Sequence, residues 1–172
     1  MELTDGLVVL RPLEPADVPA IAAACVDSEI ARFTTEVPQP YSEAHARAYV
    51  AHAEREWAAG QQRPLAIADA PSRAFLGAIE VRLSDPGSIG YWVAPGVRGQ
   101  GVATRALVLL SRWAVTEGHV ERLELTTHPE NVASQRVAEK AGFVREGVLR
   151  SHIRFREGRR DSVLFSLLPS DI

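Results

Sequence analysis

The chain has 172 residues, 19 Lys and Arg against 22 Asp and Glu, a formal net charge of −3 and 46% hydrophobic residues. This length and apolar content predict one globular domain over 1–172 and exclude both a pair of large domains and global disorder. The mild acidity excludes the basic footprint with which a dedicated nucleic-acid binder neutralises phosphates. Cys25 is the only cysteine, so no intrachain disulfide forms. The start, Met1-Glu2-Leu3-Thr4-Asp5, is acidic where a secretory leader is basic and then apolar. The most apolar runs, 7–10 and 106–110, fall far short of the ~20 residues a membrane helix needs. A cytoplasmic protein with neither membrane contact nor direct nucleic-acid binding is expected.

In chain order, 6–11 is a short β-rich run ended by Pro12, and 16–26 is dense enough in Ala, Ile and Val for a helix. The pattern dissolves over 27–41, where Pro38 and Pro40 predict an irregular loop. Ser42 then serves as N-cap for an alanine-rich helix that Gly60 stops. Phe33 and Tyr41 stand in that loop either as a pocket wall or as rings sealing it onto the core. Three β-like runs follow, 64–69, 75–83 and 88–93, separated by Ala70-Pro71 and Asp85-Pro86-Gly87, and they read as an antiparallel meander. The last run is apolar on both alternating faces, as a central strand covered on both sides would be. A helix over 102–117, a strand over 122–127, a helix over 132–141 and strands near 143–148, 152–155 and 161–168 complete the chain. The expected class is α/β with α+β character: one mixed sheet, mostly antiparallel, with helices on both faces.

The most informative segment is Pro95-Gly96-Val97-Arg98-Gly99-Gln100-Gly101-Val102-Ala103, between the central strand and a Leu- and Val-rich helix. A glycine turn opening a helix aims unpaired N–H groups and the positive end of the helix dipole at one point, which attracts phosphate. Arg98 adds a positive charge beside it. The dinucleotide fingerprint fails because Thr104 stands at its third glycine and the next strand ends Thr126-Thr127 without an acid. Walker A fails because no Gly-Lys pair occurs.

Arg98-Gly99-Gln100-Gly101-Val102-Ala103 resembles the acyl-CoA signature of the GNAT acetyltransferases. Upstream, Ile89-Gly90-Tyr91-Trp92-Val93 is similar to the strand before that loop in the branch of RimJ and RimL, N-terminal acetyltransferases of ribosomal proteins. Downstream, Asn131 and Ser134 followed by Glu139-Lys140-Ala141-Gly142-Phe143 match the second signature of that branch. With Leu10-Arg11-Pro12-Leu13 and Asp17, the resemblance covers nearly the whole chain. It implies a sheet splayed at the central strand. Acetyl-CoA as co-substrate would lie with its pyrophosphate on the N–H groups of Gly99, Gln100, Gly101, Val102, Ala103 and Thr104, and no metal would be needed. It further implies a main-chain N–H near Val93 polarising the thioester carbonyl. Asn131 would bond the pantetheine or nearby backbone, an ordinary N-cap being its other reading, and Ser134 would support departure of the CoA thiolate. Many members carry a tyrosine acid where Ala138 stands here, and glutamates where Arg105 and Ser88 stand.

The acceptor expected is a primary amine, most readily an N-terminal α-amine, whose pKa of about 8 requires less base than the ~10.4 of lysine. Glu80 and His128 are the candidate bases, each of which also reads as an ordinary surface group. Phe33, Tyr41 and Trp92 are the candidate acceptor contacts. His45 and His52 lack any third ligand for zinc, and Cys25 reads as a small buried hydrophobe. Arg154, Arg156, Arg159 and Arg160 form a basic tip that is solvated or touches an acidic partner. A small-amine acetyltransferase acting on antibiotics or polyamines, and a non-catalytic acyl-CoA-binding module, remain as alternatives. A homodimer is compatible with either.

Overall fold

The computed structural model describes residues 1–35, 37–155 and 158–172. Eight strands form one sheet: β1 (Leu3–Thr4), β2 (Val8–Pro12), β3 (Gln62–Asp69), β4 (Phe75–Arg82), β5 (Gly87–Val93), β6 (Leu123–Thr127), β7 (Val144–Phe155) and β8 (Gly158–Leu167). Among the described residues five α-helices connect them: α1 (Val18–Cys25), α2 (Ser28–Phe33), α3 (Glu43–Ala59), α4 (Val102–Thr116) and α5 (Val132–Lys140). The strand order is β1-β2-β3-β4-β5-β6-β8-β7, antiparallel throughout except between β5 and β6. Among the described residues no helix is long and apolar enough to cross a membrane.

Strand alternation divides the core in two. Leu65, Ile67, Ile79, Val81 and Ile89 turn to one face and pack under α4 and α5, whereas Ala66 and Trp92 turn to the other, against α1, α2 and α3. On α4 the apolar positions Val102, Ala103, Ala106, Leu107, Leu110 and Ala114 repeat at helical spacing, and Leu107 and Leu110 are wholly buried. Each such leucine contributes about 1.5–3 kcal/mol, so the sheet fixes where the first turn of α4 points. Asp17, just ahead of α1, grips Arg11 of β2 in a buried two-pronged ion pair, Nη2–Oδ1 2.7 Å and Nη1–Oδ2 2.8 Å, and also accepts the Glu14 N–H. A Cβ at Gly77 would run into the Trp92 carbonyl oxygen, so glycine there lets β4 lie close against the end of β5.

The sequence expectation needs correcting in three places. The segment 27–41 is not irregular throughout: Asp27 Oδ1 accepts from Ile30 N at 3.1 Å and nucleates α2, which Ile30 anchors in the core. The runs 143–148 and 152–155 are one strand, β7, whose register with β8 shifts between Leu149 and Ile153. There Ser151 takes φ +50 and its N–H bonds Asp161 Oδ1, so the break in apolar alternation marks an irregularity inside a strand. Finally, β5 is central but not covered on both sides: Ser88 and Gly90 are exposed.

Candidate functional site

Beyond Val93 the chain makes one 3-10 turn, Pro95–Val97, and enters α4 through Gly99 (φ +76) and Gly101 (φ +81), left-handed backbone that glycine adopts without strain. Gly101 is the N-cap, and among the described residues no side chain caps the helix. Its first N–H groups are therefore left for a ligand, and a Cβ at either glycine would meet nothing within 4 Å, so the approach is open. Gln100 Nε2 donates to Gly96 O at 3.0 Å and braces the loop. Val102 and Ala103 are buried beneath it, and Thr104 is half-buried. Arg98, the positive charge beside the loop, is paired within the protein. Its Nη2 lies 2.6 Å from Asp27 Oδ1, and this guanidinium holds the Asp27 carboxyl below the usual carboxylate range.

The loop opens onto a cavity of about 960 Å³ that runs between β5 and β6. These strands pair only at Gly87↔Leu123 and Ser88↔Glu124, and then diverge. On its other edge β5 stays paired to β4 as far as Gly77↔Val93, and Ala94 N donates to Leu76 O. The antiparallel alternation thus turns even-numbered residues to β4 and aims the Val93 N–H at the side where β6 has departed. Across this gap α5 begins. Asn131 Oδ1 accepts from Ser134 N at 3.0 Å, so the side-chain carbonyl of Asn131 is the helix cap. Ser134 Oγ lies 2.9 Å from the hydroxyl of Tyr91.

On the opposite face of the sheet, Glu80 of β4 stands beside Gly90 of β5 and shares the face of Trp92. Its Oε1 is 4.0 Å from Arg82 Nη2. A Cβ at Gly90 would meet nothing within 4 Å, which leaves the cleft next to Glu80 open. Trp92 packs on Phe75 (ring centroids 5.7 Å apart). Phe33 lies 5.7 Å from the His128 ring, whose other side meets Phe155 edge-on at 6.2 Å. His128 Nδ1 accepts the Glu130 N–H at 3.2 Å, an arrangement that a neutral ring makes with its proton on Nε2, and the residue lines the cavity. Tyr41 lines the cavity while its hydroxyl engages Cys25, and burial pushes the Cys25 thiol up to about 11. The cavity therefore joins Val93, the Gly101 loop, Asn131, Ser134, Glu80, His128, Phe33, Tyr41 and Trp92. Gln100 borders the loop outside it. Of the basic tip, Arg160 lies over the Phe155 ring at 5.1 Å and Arg154 pairs with Arg159 across the hairpin. Arg156, like Glu36 of the acidic 27–41 segment, lies outside the described residues.

Sequence reasoning missed three features. Tyr91 and Gly90 were visible only as strand residues, since nothing in local spacing says that the first turn of α5 returns over Tyr91. The third is the way α2 bridges the cleft: Asp27 meets Arg98 of the glycine loop, Arg32 Nη2 meets Glu130 Oε2 at 2.5 Å ahead of α5, and Phe33 meets His128. Asp27 directly before Ser28 and Glu29 is the cap signal that marks this helix.

The chain is 34% identical over 83 residues to the "Probable N-acetyltransferase YjcK" of Bacillus subtilis, covering 48% of this chain and 46% of that protein. It is 32% identical over 68 residues to the ribosomal-protein-serine acetyltransferase of Escherichia coli, covering 40% and 38%. Each match spans less than half of the relative's length. The structure of Mycobacterium smegmatis RimJ in complex with CoA-disulfide superposes with a TM-score of 0.86 at 22% identity, covering 100% of this chain and 88% of that one, and so shares the fold. Residues 8–144 match the acetyltransferase (GNAT) domain, and the chain belongs to the GNAT acetyltransferase family.

Proposed function

We propose that the chain transfers an acetyl group from acetyl-CoA directly to a primary amine, and that the acceptor is the N-terminal α-amine of a protein or peptide. The observation that carries the transfer is the divergence of β5 and β6 after Ser88. One gap then faces the uncapped start of α4, the Val93 N–H, the Ser134 hydroxyl and, from the far side of the sheet, Glu80.

In this reading the N–H groups at Gly101, Val102, Ala103 and Thr104 hold the pyrophosphate, with the helix dipole behind them. Arg98, tied to Asp27, links that site to α2. The Val93 N–H donates to the thioester oxygen as it gains charge, which is worth about 3 kcal/mol for such donors. The neutral amine attacks the carbonyl carbon, and Glu80 accepts the proton that the nitrogen sheds, directly or through water. As the C–S bond breaks, its electron pair goes to sulfur and the Ser134 hydroxyl donates a hydrogen bond to the thiolate. His128, with Nδ1 engaged, serves the acceptor as a wall and Nε2 donor, which leaves Glu80 as the base.

The α-amine is favoured over a polyamine or aminoglycoside by charge. Among the described residues Glu29, Glu80 and Asp161 line the cavity together with Arg82, Arg136 and Lys140, so no strongly acidic field awaits a polycation. The likeness to a ribosomal-protein-serine acetyltransferase supports the same class. The test is CoA thiol release with a panel of peptides, polyamines and aminoglycosides. Peptides with free N-termini are the expected acceptors. Faster turnover of a polyamine or aminoglycoside overturns the acceptor class, and silence toward every amine despite acetyl-CoA binding favours the binding module.

A further inference from the structure

Resting on the role of Ser134 given above, we infer that Tyr91 is a positioning residue that forces the Ser134 hydroxyl to present its proton to the cleft. Main-chain pairing between β5 and β6 ends at Ser88, yet three residues further along β5 the Tyr91 hydroxyl reaches over the gap to the first turn of α5, 43 residues away in sequence. It ties β5 to α5 beyond the point where the β5–β6 ladder ends.

Both ends of this bond are held. The Tyr91 ring packs against the core beneath α4 and α5, and Ser134 sits in a helical turn whose N–H is capped by Asn131. The phenol has one proton to place. Among the described residues its acceptors are Ser134 Oγ at 2.9 Å and Ser134 O at 3.4 Å. The second is too long for a good O–H···O bond, so Oγ is the better-placed acceptor, and we assign the phenol as the donor of this bond. Burial pushes the phenol up to about 12, which keeps it a neutral donor at any working pH. With Tyr91 donating to Oγ, the serine's own hydrogen must point elsewhere, and Ser134 lines the cavity. A serine early in a helix without such a partner turns its proton back to a main-chain carbonyl three or four residues earlier, where it is lost to a leaving group. Tyr91 is not itself required to touch sulfur. It acts by the direction it imposes on Ser134.

The test is a double-mutant cycle on the full chain with Tyr91→Phe and Ser134→Ala, measuring kcat and the acetyl-CoA KM with a peptide acceptor. Tyr91→Phe keeps the ring and is expected to lower kcat by about 5- to 10-fold, with the acetyl-CoA KM within about twofold. In the Ser134→Ala background the same substitution is expected to change kcat less than about 1.5-fold, because the hydroxyl it orients is gone. Ser134→Thr, which retains a hydroxyl, should restore sensitivity to Tyr91→Phe. Equal loss from Tyr91→Phe in both backgrounds would mean that the phenol only packs, and overturns the inference. So does wild-type kcat in Tyr91→Phe while Ser134→Ala is slow, an outcome that leaves the proposed function standing. Wild-type kcat in Ser134→Ala removes the underlying role of Ser134.

Discussion

Gly101→Ala separates the conformational role of the glycine loop from its ligand role. Gly101 sits at φ +81 and ψ 0, and a Cβ there meets nothing within 4 Å, so alanine collides with no part of the protein. The remaining cost is that of holding an L residue in left-handed backbone, about 1–2 kcal/mol. In a domain of this size that lowers Tm by about 2–8 °C. The added methyl also stands before the N–H groups that would receive the pyrophosphate. Losing one charge-assisted hydrogen bond of about 1.5–3 kcal/mol weakens acetyl-CoA binding by about 10- to 150-fold. Gly96→Ala is the control, since Gly96 is equally open and has no positive φ. It should leave both Tm and affinity unchanged. Titration calorimetry well below either Tm measures affinity on folded protein, so the stability loss does not enter. If Gly101→Ala lowers Tm but binds acetyl-CoA with wild-type affinity, the start of α4 does not hold the pyrophosphate.

Asp17→Asn leaves the buried Arg11 guanidinium, among the described residues, with only the exposed Glu14 carboxylate at 4.0 Å and should cost about 3–5 kcal/mol in urea unfolding; a loss under 1 kcal/mol contradicts the pairing. Gly90→Leu should keep Tm, because nothing obstructs the side chain, yet raise the acceptor KM at least about tenfold by filling the cleft beside Glu80, with acetyl-CoA affinity unchanged. An unchanged acceptor KM removes that face from the acceptor site. The Glu146 carboxyl is lowered from 4.5 to about 2 by Arg122 first and Ser166 second. Its contribution is therefore complete above pH ~4.5 and lost as pH falls toward 2, so the stability gap between wild type and Glu146→Gln should close across that window. A gap as large near pH 2 as at neutral pH contradicts the assignment.

Much of this arrangement is legible before folding because it is local. Val102, Ala106, Leu107 and Leu110 mark the buried face of α4 by spacing alone, and Gly99 and Gly101 mark the turn ahead of it. The meander of β3, β4 and β5 is legible because its breakers fall between the runs. What escapes is what depends on distant partners. The charge of Arg98 looks free until α2 brings Asp27 to it from 71 residues away. Tyr91 looks like one more apolar strand residue until α5 lays Ser134 against its hydroxyl. The exposure of Gly90 in a central strand follows from its face of the sheet being left open at Ser88 and Gly90, which no alternation pattern records. The shift inside β7 looks like a strand end because Ser151 interrupts the alternation while Asp161 on β8 satisfies its N–H.

The central claim is direct acetyl transfer to an α-amine in the gap between β5 and β6. It is tested most directly by a peptide that carries both a free N-terminus and an internal lysine, incubated with the protein and acetyl-CoA near neutral pH and mapped by tandem mass spectrometry. The account predicts one acetyl group on the α-amine, none on the lysine, and a rate that collapses in Glu80→Gln as proton removal fails. Acetylation of the lysine in preference to the N-terminus, or wild-type transfer by Glu80→Gln, would contradict it.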